Sequence, residues 1–283
     1  MSELFLNQYF SNSAPLLVPL ALEPLAARVA ANAGFQVGYV SGGALGYAYG
    51  ISEALLTVTE IAEVTRRVTD FGEQKVIADV GVGFGDPVHV ARTIVEMERA
   101  GAIAMEIEDQ VAPKRVSHHR GIEHLVASDV MVDKIKVACD RRQDDRFAII
   151  ARTGAVKNES FQAALDRLHA YQDAGADILM LMPEDDSQIA ATRSEFSCPL
   201  ATIAPMDALA RPRWQDSGWQ VVIDPFTTQV VAIQAAETVY RSYSEQGTSG
   251  VDLRALMDKY HTLDDLSGLK SLYEIEDHTT ESS

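Results

Sequence analysis

The sequence has few of the features that would direct it to a membrane, to nucleic acid or out of the cell. No stretch approaches the roughly 20 consecutive apolar residues of a membrane-spanning helix. Basic residues are a minority, 24 against 41 acidic ones, and the resulting net charge of −17 disfavours nucleic acid and anionic membrane surfaces as partners. The start of the chain also lacks the basic residues of a secretory signal.

Cysteine is scarce as well. The two cysteines, Cys139 and Cys198, lack the spacing of a metal site, and we interpret them as reduced thiols that pack against their neighbours. Together with the missing signal, they predict a cytoplasmic protein.

What the sequence does contain is a series of short apolar runs rich in Val, Ile and Leu. They are Leu16–Leu22, Val37–Val40, Val76–Val80, Ile103–Ile107, Phe147–Ala151, Ile178–Met182, Leu200–Ile203 and Val221–Ile223. Because the runs lack strict polar alternation, they are typical of parallel strands covered on both faces.

Segments of helical periodicity alternate with these runs. They are Pro24–Ala33, Thr59–Phe71, Pro87–Ala100, Ala127–Asp140, Phe161–Ala174, Ser187–Phe196, Asp207–Asp216 and Thr227–Tyr243. Eight alternating units predict an α/β fold, a (β/α)8 TIM-type barrel, and a doubly wound open sheet is the alternative.

Two further helical segments, Leu253–Tyr260 and Leu263–Tyr273, follow a break rich in Gly and Ser, and the chain then ends in an acidic tail. A barrel does not need these segments to close. We therefore predict a catalytic barrel domain over residues 1–246 and a C-terminal helical extension over 247–283, which covers one end of the barrel or packs on a neighbouring subunit.

Carboxylates end two neighbouring apolar runs. Asp79 and Glu108 come at the ends of the third and fourth runs, and oxygen ligands of this kind suit Mg²⁺. Glu106 shares a face with Glu108 one layer deeper, where a carboxylate is costly unless it is paired or bound to metal. The alternative is that these acids cap helices or form surface ion pairs, and that Glu106 stays near solvent.

Groups that suit a carboxylate ligand lie at other strand ends. Arg152 closes the fifth run and can grip a carboxylate with two hydrogen bonds, or it only neutralises the acidic cluster. The phrase Ser41-Gly42-Gly43 offers a hydroxyl and backbone N–H groups to a carboxylate or an oxyanion, although any Gly-Gly turn has this pattern.

Two loops are predicted to lie over the mouth of the barrel. The spacing of Gly81, Gly83 and Gly85 is not that of a dinucleotide fingerprint and indicates a flexible loop. The long connection after the fourth run carries a basic cluster, which predicts either a lid over an acidic substrate or a solvated loop. The cluster consists of Lys114, Arg115, His118 and His119.

From about Pro19 to Asp277 the sequence resembles the isocitrate lyase and phosphoenolpyruvate mutase superfamily. The matching phrases are Ala27-Arg28 with Ala33-Gly34-Phe35, Ser41-Gly42, Ala78-Asp79 with Gly83-Phe84-Gly85, Ile107-Glu108-Asp109-Gln110 with Pro113-Lys114, Ile150-Ala151-Arg152-Thr153, and Tyr171 with Ala174-Gly175-Ala176-Asp177. The most similar branch contains oxaloacetate decarboxylase and proteins called carboxyvinyl-carboxyphosphonate phosphorylmutase.

This resemblance implies Mg²⁺, with Mn²⁺ as a substitute, an enolate of the pyruvate type, and homo-oligomers (dimers or tetramers) that exchange a C-terminal helix. It implies that Ser41, Gly42 and Arg152 hold a 2-oxo acid, and we predict that Gly43 and Glu53 bind it too. An aspartate of the family falls on Ser52 here, and Glu53 beside it is a possible substitute. The catalytic groups that we predict are Tyr39, Lys114, His118 and Arg152.

The departures from the family pattern concern polar groups. An aspartate of the family is Gly81 here, and a cysteine or asparagine after Lys-Arg is Val116. The asparagine expected after Arg152-Thr153 is Gly154. The two positions reduced to glycine, Gly81 and Gly154, enlarge the mouth and suggest a bulkier or less polar substrate. We hypothesise that Glu106 supplies the carboxylate lost at Gly81 and is a metal ligand with Asp79 and Glu108.

The sequence therefore predicts an Mg²⁺-dependent carbon–carbon lyase or decarboxylase that acts on a 2-oxo or 2-hydroxy dicarboxylic acid. One alternative is a lyase for a substituted malate, of the 2-methylisocitrate or dimethylmalate type, with Tyr39 or a lid histidine as the acid. Others are a phosphonate-processing mutase or hydrolase, and a diverged member that binds a small acid without turnover.

Overall fold

A computed structural model describes residues 4–11, 14–206 and 214–280 of the chain. The chain forms two compact units, Met1–Thr227 and Thr228–Ser283. The first contains the whole sheet. The boundary predicted at residue 246 coincides with the end of a helix, Thr227–Gln246, whereas the two units divide at the start of that helix.

Among the described residues, the first unit contains eight parallel strands. They are β1 (Leu16–Pro19), β2 (Val37–Val40), β3 (Lys75–Asp79), β4 (Ala104–Glu108), β5 (Ala148–Arg152), β6 (Ile178–Met180), β7 (Leu200–Ile203) and β8 (Val221–Asp224). Each strand pairs with the next in the order β1-β8-β7-β6-β5-β4-β3-β2, and a single bridge from Leu20 to Tyr39 joins the two edges. The predicted (β/α)8 barrel is confirmed, and the open doubly wound sheet is not formed.

Helices connect the strands. They are α1 (Pro24–Asn32), α2 (Gly42–Ala48), α3 (Val58–Phe71), α4 (Pro87–Arg99), α5 (Ser128–Arg141), α6 (Ala155–Asn158), α7 (Phe161–Asp173) and α8 (Asp186–Glu195), with 3-10 turns at Phe5–Tyr9, Glu53–Leu55 and Val116–Arg120. The sequence did not predict α2 and α6. Most of the predicted segment Asp207–Asp216 lies outside the described residues.

The start of α3 corrects the prediction of a helix beginning at Thr59. Thr57 caps the helix, because its hydroxyl accepts a hydrogen bond from the backbone N–H of Glu60 and the Glu60 carboxylate accepts one from the N–H of Thr57. This reciprocal pair satisfies two amides that would otherwise lack partners in the first turn. The helix therefore starts at Val58.

Side chains alternate between the inside and the outside of the barrel. Ile77, Ile150 and Ile178 point inward into one buried cluster, while Val40 and Ala78 belong to the cluster beneath the helices. Leu6, from the first 3-10 turn, is fully buried in the inner cluster. This period of two directs the polar residues at the strand ends toward the barrel axis.

Strand register brings those polar residues side by side. Asp79 of β3 pairs with Glu106 of β4, and Glu108 of β4 pairs with Arg152 of β5. All of these except Glu106 are the last residues of their strands, and Glu106 lies one layer deeper, as the sequence predicted. The C-terminal face of the barrel therefore carries a compact group of charges.

The second unit is helical. After the helix α9 (Thr227–Gln246) come α10 (Leu253–Leu266) and α11 (Leu269–Thr279). The predicted break near residue 261 is wrong, because the chain stays helical until Leu266. It turns instead at Gly268, whose φ of 72° lies in the left-handed region that glycine favours. Among the described residues, no helix has the length and apolar character needed to cross a bilayer.

Candidate active site

A cavity of about 380 Å³ opens beside the charged strand ends of the barrel. Gly42, Glu53, Asp79, Gly81 and Lys114 contribute to its polar side. Its other walls are apolar and include Leu56, Ile61, Val82, Phe84 and Pro113. The cavity therefore places an apolar wall next to carboxylates and a cation.

The phrase Ser41-Gly42-Gly43 begins helix α2 and is not the turn that the sequence suggested. Ser41 caps the helix by accepting a hydrogen bond from the N–H of Ala44. The N–H of Gly42 donates to Oδ2 of Asp79 at 2.8 Å, so in this structure that amide is committed to a carboxylate of the protein. A sequence of two glycines does not distinguish such a helix start from a turn.

Gly42 and Gly43 leave room for two carboxylates to approach. A Cβ atom on Gly42 would lie 3.1 Å from Oε2 of Glu53 and 3.2 Å from Oδ2 of Asp79, and one on Gly43 would lie 3.3 Å from the same Glu53 oxygen. Both carboxylates thus converge on one backbone segment. Burial and the negative charge of Glu53 raise the pKa of Asp79.

Two residues of the connection after β4 close on Glu53. The Lys114 ammonium contacts the Glu53 carboxylate and lies 2.6 Å from Oε1 of Glu108. Nε2 of His118 lies 2.6 Å from Oε1 of Glu53. Burial alone would raise the pKa of Glu53, but the His118 hydrogen bond and the Lys114 charge outweigh it and lower that pKa to about 2. Two of the four predicted lid residues, Lys114 and His118, therefore contact the site in this structure.

His119 is part of the same connection but contacts different residues. Its Nδ1 lies 3.2 Å from the Tyr47 hydroxyl, and its Nε2 lies 2.9 Å from Oγ of Ser52. These contacts join the connection after β4 to the segment that follows β2.

Arg152 lies among three carboxylates. Its Nη1 is 3.3 Å from Oε2 of Glu108 and 3.7 Å from Oε1 of Glu106, and its Nη2 is 3.3 Å from Oε1 of Glu123. The guanidinium is largely buried, so these ion pairs are weakly screened. Sequence reasoning missed Glu123, because nothing in the spacing of residues 111–125 indicates which of them reaches the barrel axis.

Tyr39 and Glu106 form a pair inside the barrel. The Tyr39 hydroxyl donates a hydrogen bond of 2.6 Å to Oε2 of Glu106, and both side chains are buried. Burial and the nearby Asp79 charge raise the pKa of Glu106 to about 8. Burial raises the pKa of Tyr39 well above its ordinary value, so the phenol keeps its proton.

Asp109, which follows Glu108, is a structural centre beside the site. It accepts hydrogen bonds from Thr153 Oγ1 at 2.6 Å, Tyr171 Oη at 2.7 Å and the N–H of Gly154 at 3.1 Å, and it also contacts Arg167. This network ties β4 to the segment after β5, and it holds the residues that directly follow Glu108 and Arg152.

The carboxylates can be tested for their fit to Mg²⁺. Across residues 4–11, 14–206 and 214–280, no three His, Cys, Asp or Glu side chains are arranged to hold a metal ion. Mg²⁺, however, commonly uses one or two carboxylates together with water and substrate oxygens. Asp79 and Glu108 supply two carboxylates of this kind at adjacent strand ends, and the Lys114 ammonium lies 2.6 Å from Oε1 of Glu108.

The fold and this arrangement of charges define a barrel enzyme with its site at the C-terminal face of the strands. The family model described as phosphoenolpyruvate phosphomutase matches residues 6–243. A 2-methylisocitrate lyase from Aeropyrum pernix is 34% identical over 279 residues, which cover 95% of this chain and 87% of that protein.

Two further comparisons agree. The oxaloacetate decarboxylase of Chromohalobacter salexigens is 33% identical, with 86% of this chain and 85% of that protein covered. The crystal structure of a 2,3-dimethylmalate lyase superposes with a TM-score of 0.85 at 25% identity and covers 97% of this chain and 93% of that one. The chain belongs to the isocitrate lyase and phosphoenolpyruvate mutase superfamily, and it is an enzyme of the carbon–carbon lyase type.

Proposed function

We propose that the protein is an Mg²⁺-dependent lyase that breaks a carbon–carbon bond in a 2-oxo or 2-hydroxy dicarboxylic acid, with oxaloacetate decarboxylation as the first candidate reaction. The observation that carries the proposal is the convergence of Asp79, Glu108 and Arg152 at three adjacent strand ends beside the cavity. Mn²⁺ would substitute for Mg²⁺, because both accept carboxylate oxygens.

Asp79 and Glu108 would hold the cation. Once bound, Mg²⁺ supplies Lewis-acid polarisation of the substrate oxygen at C2. Glu53 also lines the cavity with Asp79, which makes it a candidate for the carboxylate missing at Gly81. The hypothesis that Glu106 fills this role stays a prediction, since Glu106 is engaged by Tyr39 and faces Arg152.

Arg152 would bind a carboxylate of the substrate through its guanidinium. Negative charge develops on the C2 oxygen when the bond at C3 breaks, giving an enolate. Lys114, buried beside Glu108, would stabilise that charge.

The missing cysteine at Val116 affects the choice between reactions. Loss of CO2 needs no protein acid when the bond breaks, and the enolate takes up its proton afterwards. His118 is held against Glu53, whose carboxylate raises the histidine pKa against the opposing effect of burial. Because its pKa is raised, a larger fraction of the His118 imidazole carries a proton at a given pH. His118 is therefore the proposed proton donor, with Tyr39 as the alternative.

The test follows oxaloacetate and pyruvate by NMR with purified protein, first with Mg²⁺ and then with EDTA. With Mg²⁺ we expect pyruvate to form faster than in the protein-free control. With EDTA the rate should fall to that of the control. Asp79→Asn should abolish the protein-dependent formation of pyruvate. Asp144→Asn, which changes a half-exposed acid paired with Arg146 before β5, should not. Equal rates with and without protein would reject the decarboxylase.

A second candidate function is a lyase for a substituted malate. The apolar cavity wall formed by Leu56, Ile61 and Phe84 favours it, because an alkyl group on the substrate would bury apolar surface there. For 2,3-dimethylmalate the C2–C3 bond breaks, the C2 hydroxyl loses its proton, C3 gains one, and the products are pyruvate and propionate. Release of propionate or, from 2-methylisocitrate, of succinate would identify this activity by NMR.

We also propose that the chain forms a homo-oligomer, a dimer or a tetramer, in the cytoplasm. The support is the set of exposed apolar side chains on α9, including Val230, Ile233 and Tyr240. Such sets are typical of surfaces that bind another protein chain. Light scattering coupled to size-exclusion chromatography should give a multiple of 30.8 kDa, and a monomer mass would reject the proposal.

A further inference from the structure

We propose that Glu123 is a specificity-determining residue: its carboxylate fills the side-chain space of position 154, pairs with Arg152 and disfavours a second negative charge on the bound acid. The inference rests on the proposed function only in taking Arg152 as the group that binds the acid. Neither the sequence pattern nor the comparisons assign a role to Glu123.

Gly154 and Glu123 depend on one another sterically. A Cβ atom on Gly154 would overlap Oε2 of Glu123 and lie 2.8 Å from its Cδ, so any side chain at 154 requires the Glu123 carboxylate to move. The backbone at Gly154 has φ −89° and ψ 7°, a conformation open to other residues. Glycine at 154 is therefore matched to this position of the Glu123 carboxylate and is not demanded by the backbone.

The backbone around Glu123 is fixed. Its N–H donates to Oδ1 of Asn158 at 2.9 Å, and Nδ2 of Asn158 donates to the carbonyl of Gly154 at 2.9 Å. The next residue, His124, accepts a hydrogen bond from the N–H of Val111 at 2.8 Å. Glu123 thus lies at the anchored base of the connection after β4, and in this structure its carboxylate pairs with Arg152.

This placement changes what Arg152 can bind. Nη1 faces Glu108 and Nη2 faces Glu123, while Nε has no hydrogen-bond partner among the described residues. A substrate carboxylate on Arg152 would therefore lie close to the Glu123 carboxylate. Like charges at such a distance in a poorly hydrated site repel strongly, and a dianion is affected more than a monoanion.

Oxalate and oxamate provide a matched pair of probes, because they have nearly the same shape and differ by one negative charge. Calorimetric titration of the full chain with Mg²⁺ present measures both dissociation constants. We expect Glu123→Gln to lower the dissociation constant of oxalate about tenfold and to change that of oxamate by less than about twofold. Glu159→Gln removes a carboxylate from a different arginine pair, with Arg167, and should leave both constants unchanged.

A second variant tests the same idea sterically. Gly154→Ala must displace the Glu123 side chain but keeps its charge in the chain. We expect it to change the ratio of the oxalate and oxamate dissociation constants in the same direction as Glu123→Gln does. If Glu123→Gln fails to fold, Gly154→Ala alone tests the role of Glu123. An unchanged ratio, or weaker oxalate binding in the variant that folds, would overturn the role of Glu123.

The two failures are distinguishable. If the wild-type protein binds neither acid, the role of Arg152 in the proposed function is wrong, and the inference about Glu123 falls with it. A different result would reject only this inference. Both acids would bind, Arg152→Lys would weaken the binding of both, and the Glu123 and Gly154 variants would leave the ratio of the two dissociation constants unchanged. The proposed role of Arg152 would then stand.

Discussion

The ammonium nitrogen of Lys114 lies 2.6 Å from Oε1 of Glu108 and contacts the Glu53 carboxylate as well. Lys114 comes from the connection after β4, Glu108 ends that strand, and Glu53 lies in the turn after α2. The Lys114 ammonium thus lies between the Glu53 and Glu108 carboxylates, close to where a bound cation would contact Glu108. Burial would lower the pKa of Lys114, but Glu108 and Glu53 outweigh it and raise that pKa.

The first prediction is that Lys114→Met tightens Mn²⁺ binding while it reduces turnover. The ammonium group and a divalent cation compete for Oε1 of Glu108, so its removal should lower the Mn²⁺ dissociation constant about tenfold. Electron paramagnetic resonance of free Mn²⁺ measures this directly. Lys136→Met, at an exposed position on α5, is the control, and equal affinity in the two variants would contradict the prediction.

A second prediction separates Glu53 from Glu106 as the third carboxylate near the cation. Glu53 lines the cavity with Asp79, whereas Glu106 accepts a hydrogen bond from Tyr39 deeper in the barrel. We expect Glu53→Gln to weaken Mn²⁺ binding about tenfold, as loss of a supporting ligand does, and Glu106→Gln to change it less than about twofold. The reverse result would support the hypothesis that Glu106 replaces the carboxylate absent at Gly81.

Much of the barrel was predictable because each strand is short, apolar and followed by a helical pattern. Asp79, Glu108 and Arg152 could be placed at strand ends from the sequence alone, and the structure puts them there. Strand limits shift by one to three residues: β3 begins at Lys75 and ends at Asp79, one residue early at both ends, and β1 ends at Pro19 instead of Leu22. Such shifts arise because hydrogen bonding, not hydropathy, decides where pairing stops.

Other features depend on contacts between distant segments and left no local pattern. Glu123 reaches Arg152 across 29 residues of sequence, and only the empty space at Gly154 makes this possible. Helix α2 escaped prediction because Gly42 and Gly43 lower helix propensity, and the hydrogen bond from Gly42 to Asp79 compensates. The family resemblance drew attention to Gly154 but not to the residue that fills its place.

A third prediction concerns the reactivity of Cys139. Its thiol donates to the carbonyl of Gly175 at 3.3 Å, and burial raises its pKa to about 11. At pH 8 the folded thiol should therefore react with a disulfide reagent about a hundredfold more slowly than a free thiol. The measurement uses a Cys198→Ser background, and urea-unfolded protein is the control.

The same shift has a consequence for stability. The folded state retains the Cys139 proton up to about pH 11, while the unfolded chain loses it near pH 8.5. Stability should fall as the pH rises between these values, because the unfolded state then binds fewer protons. In Cys139→Ala this part of the decline should be absent, and an equally steep decline would contradict the assignment.

The fourth prediction is that Tyr39→Phe destabilises the barrel. The phenol is the hydrogen-bond donor to Oε2 of Glu106, so its loss leaves a buried acceptor without that partner and should cost about 1–3 kcal/mol of unfolding free energy. Urea unfolding followed by the fluorescence of Trp214 and Trp219, both buried in the same unit, measures the loss. Tyr240→Phe, at an exposed position, should leave the midpoint unchanged.

The contact between Tyr39 and Glu106 also predicts a second substitution that restores part of the stability lost in Tyr39→Phe. Burial and the Asp79 charge already hold the Glu106 pKa at about 8, and the Tyr39 hydrogen bond lowers it, so Tyr39→Phe should raise it further. A neutral amide at 106 needs no such donor to offset a buried charge. As the pH rises above about 4.3, the glutamate pKa in the unfolded chain, Glu106→Gln combined with Tyr39→Phe should therefore become more stable than Tyr39→Phe alone. Additive losses in the double variant would show that the two side chains are not coupled.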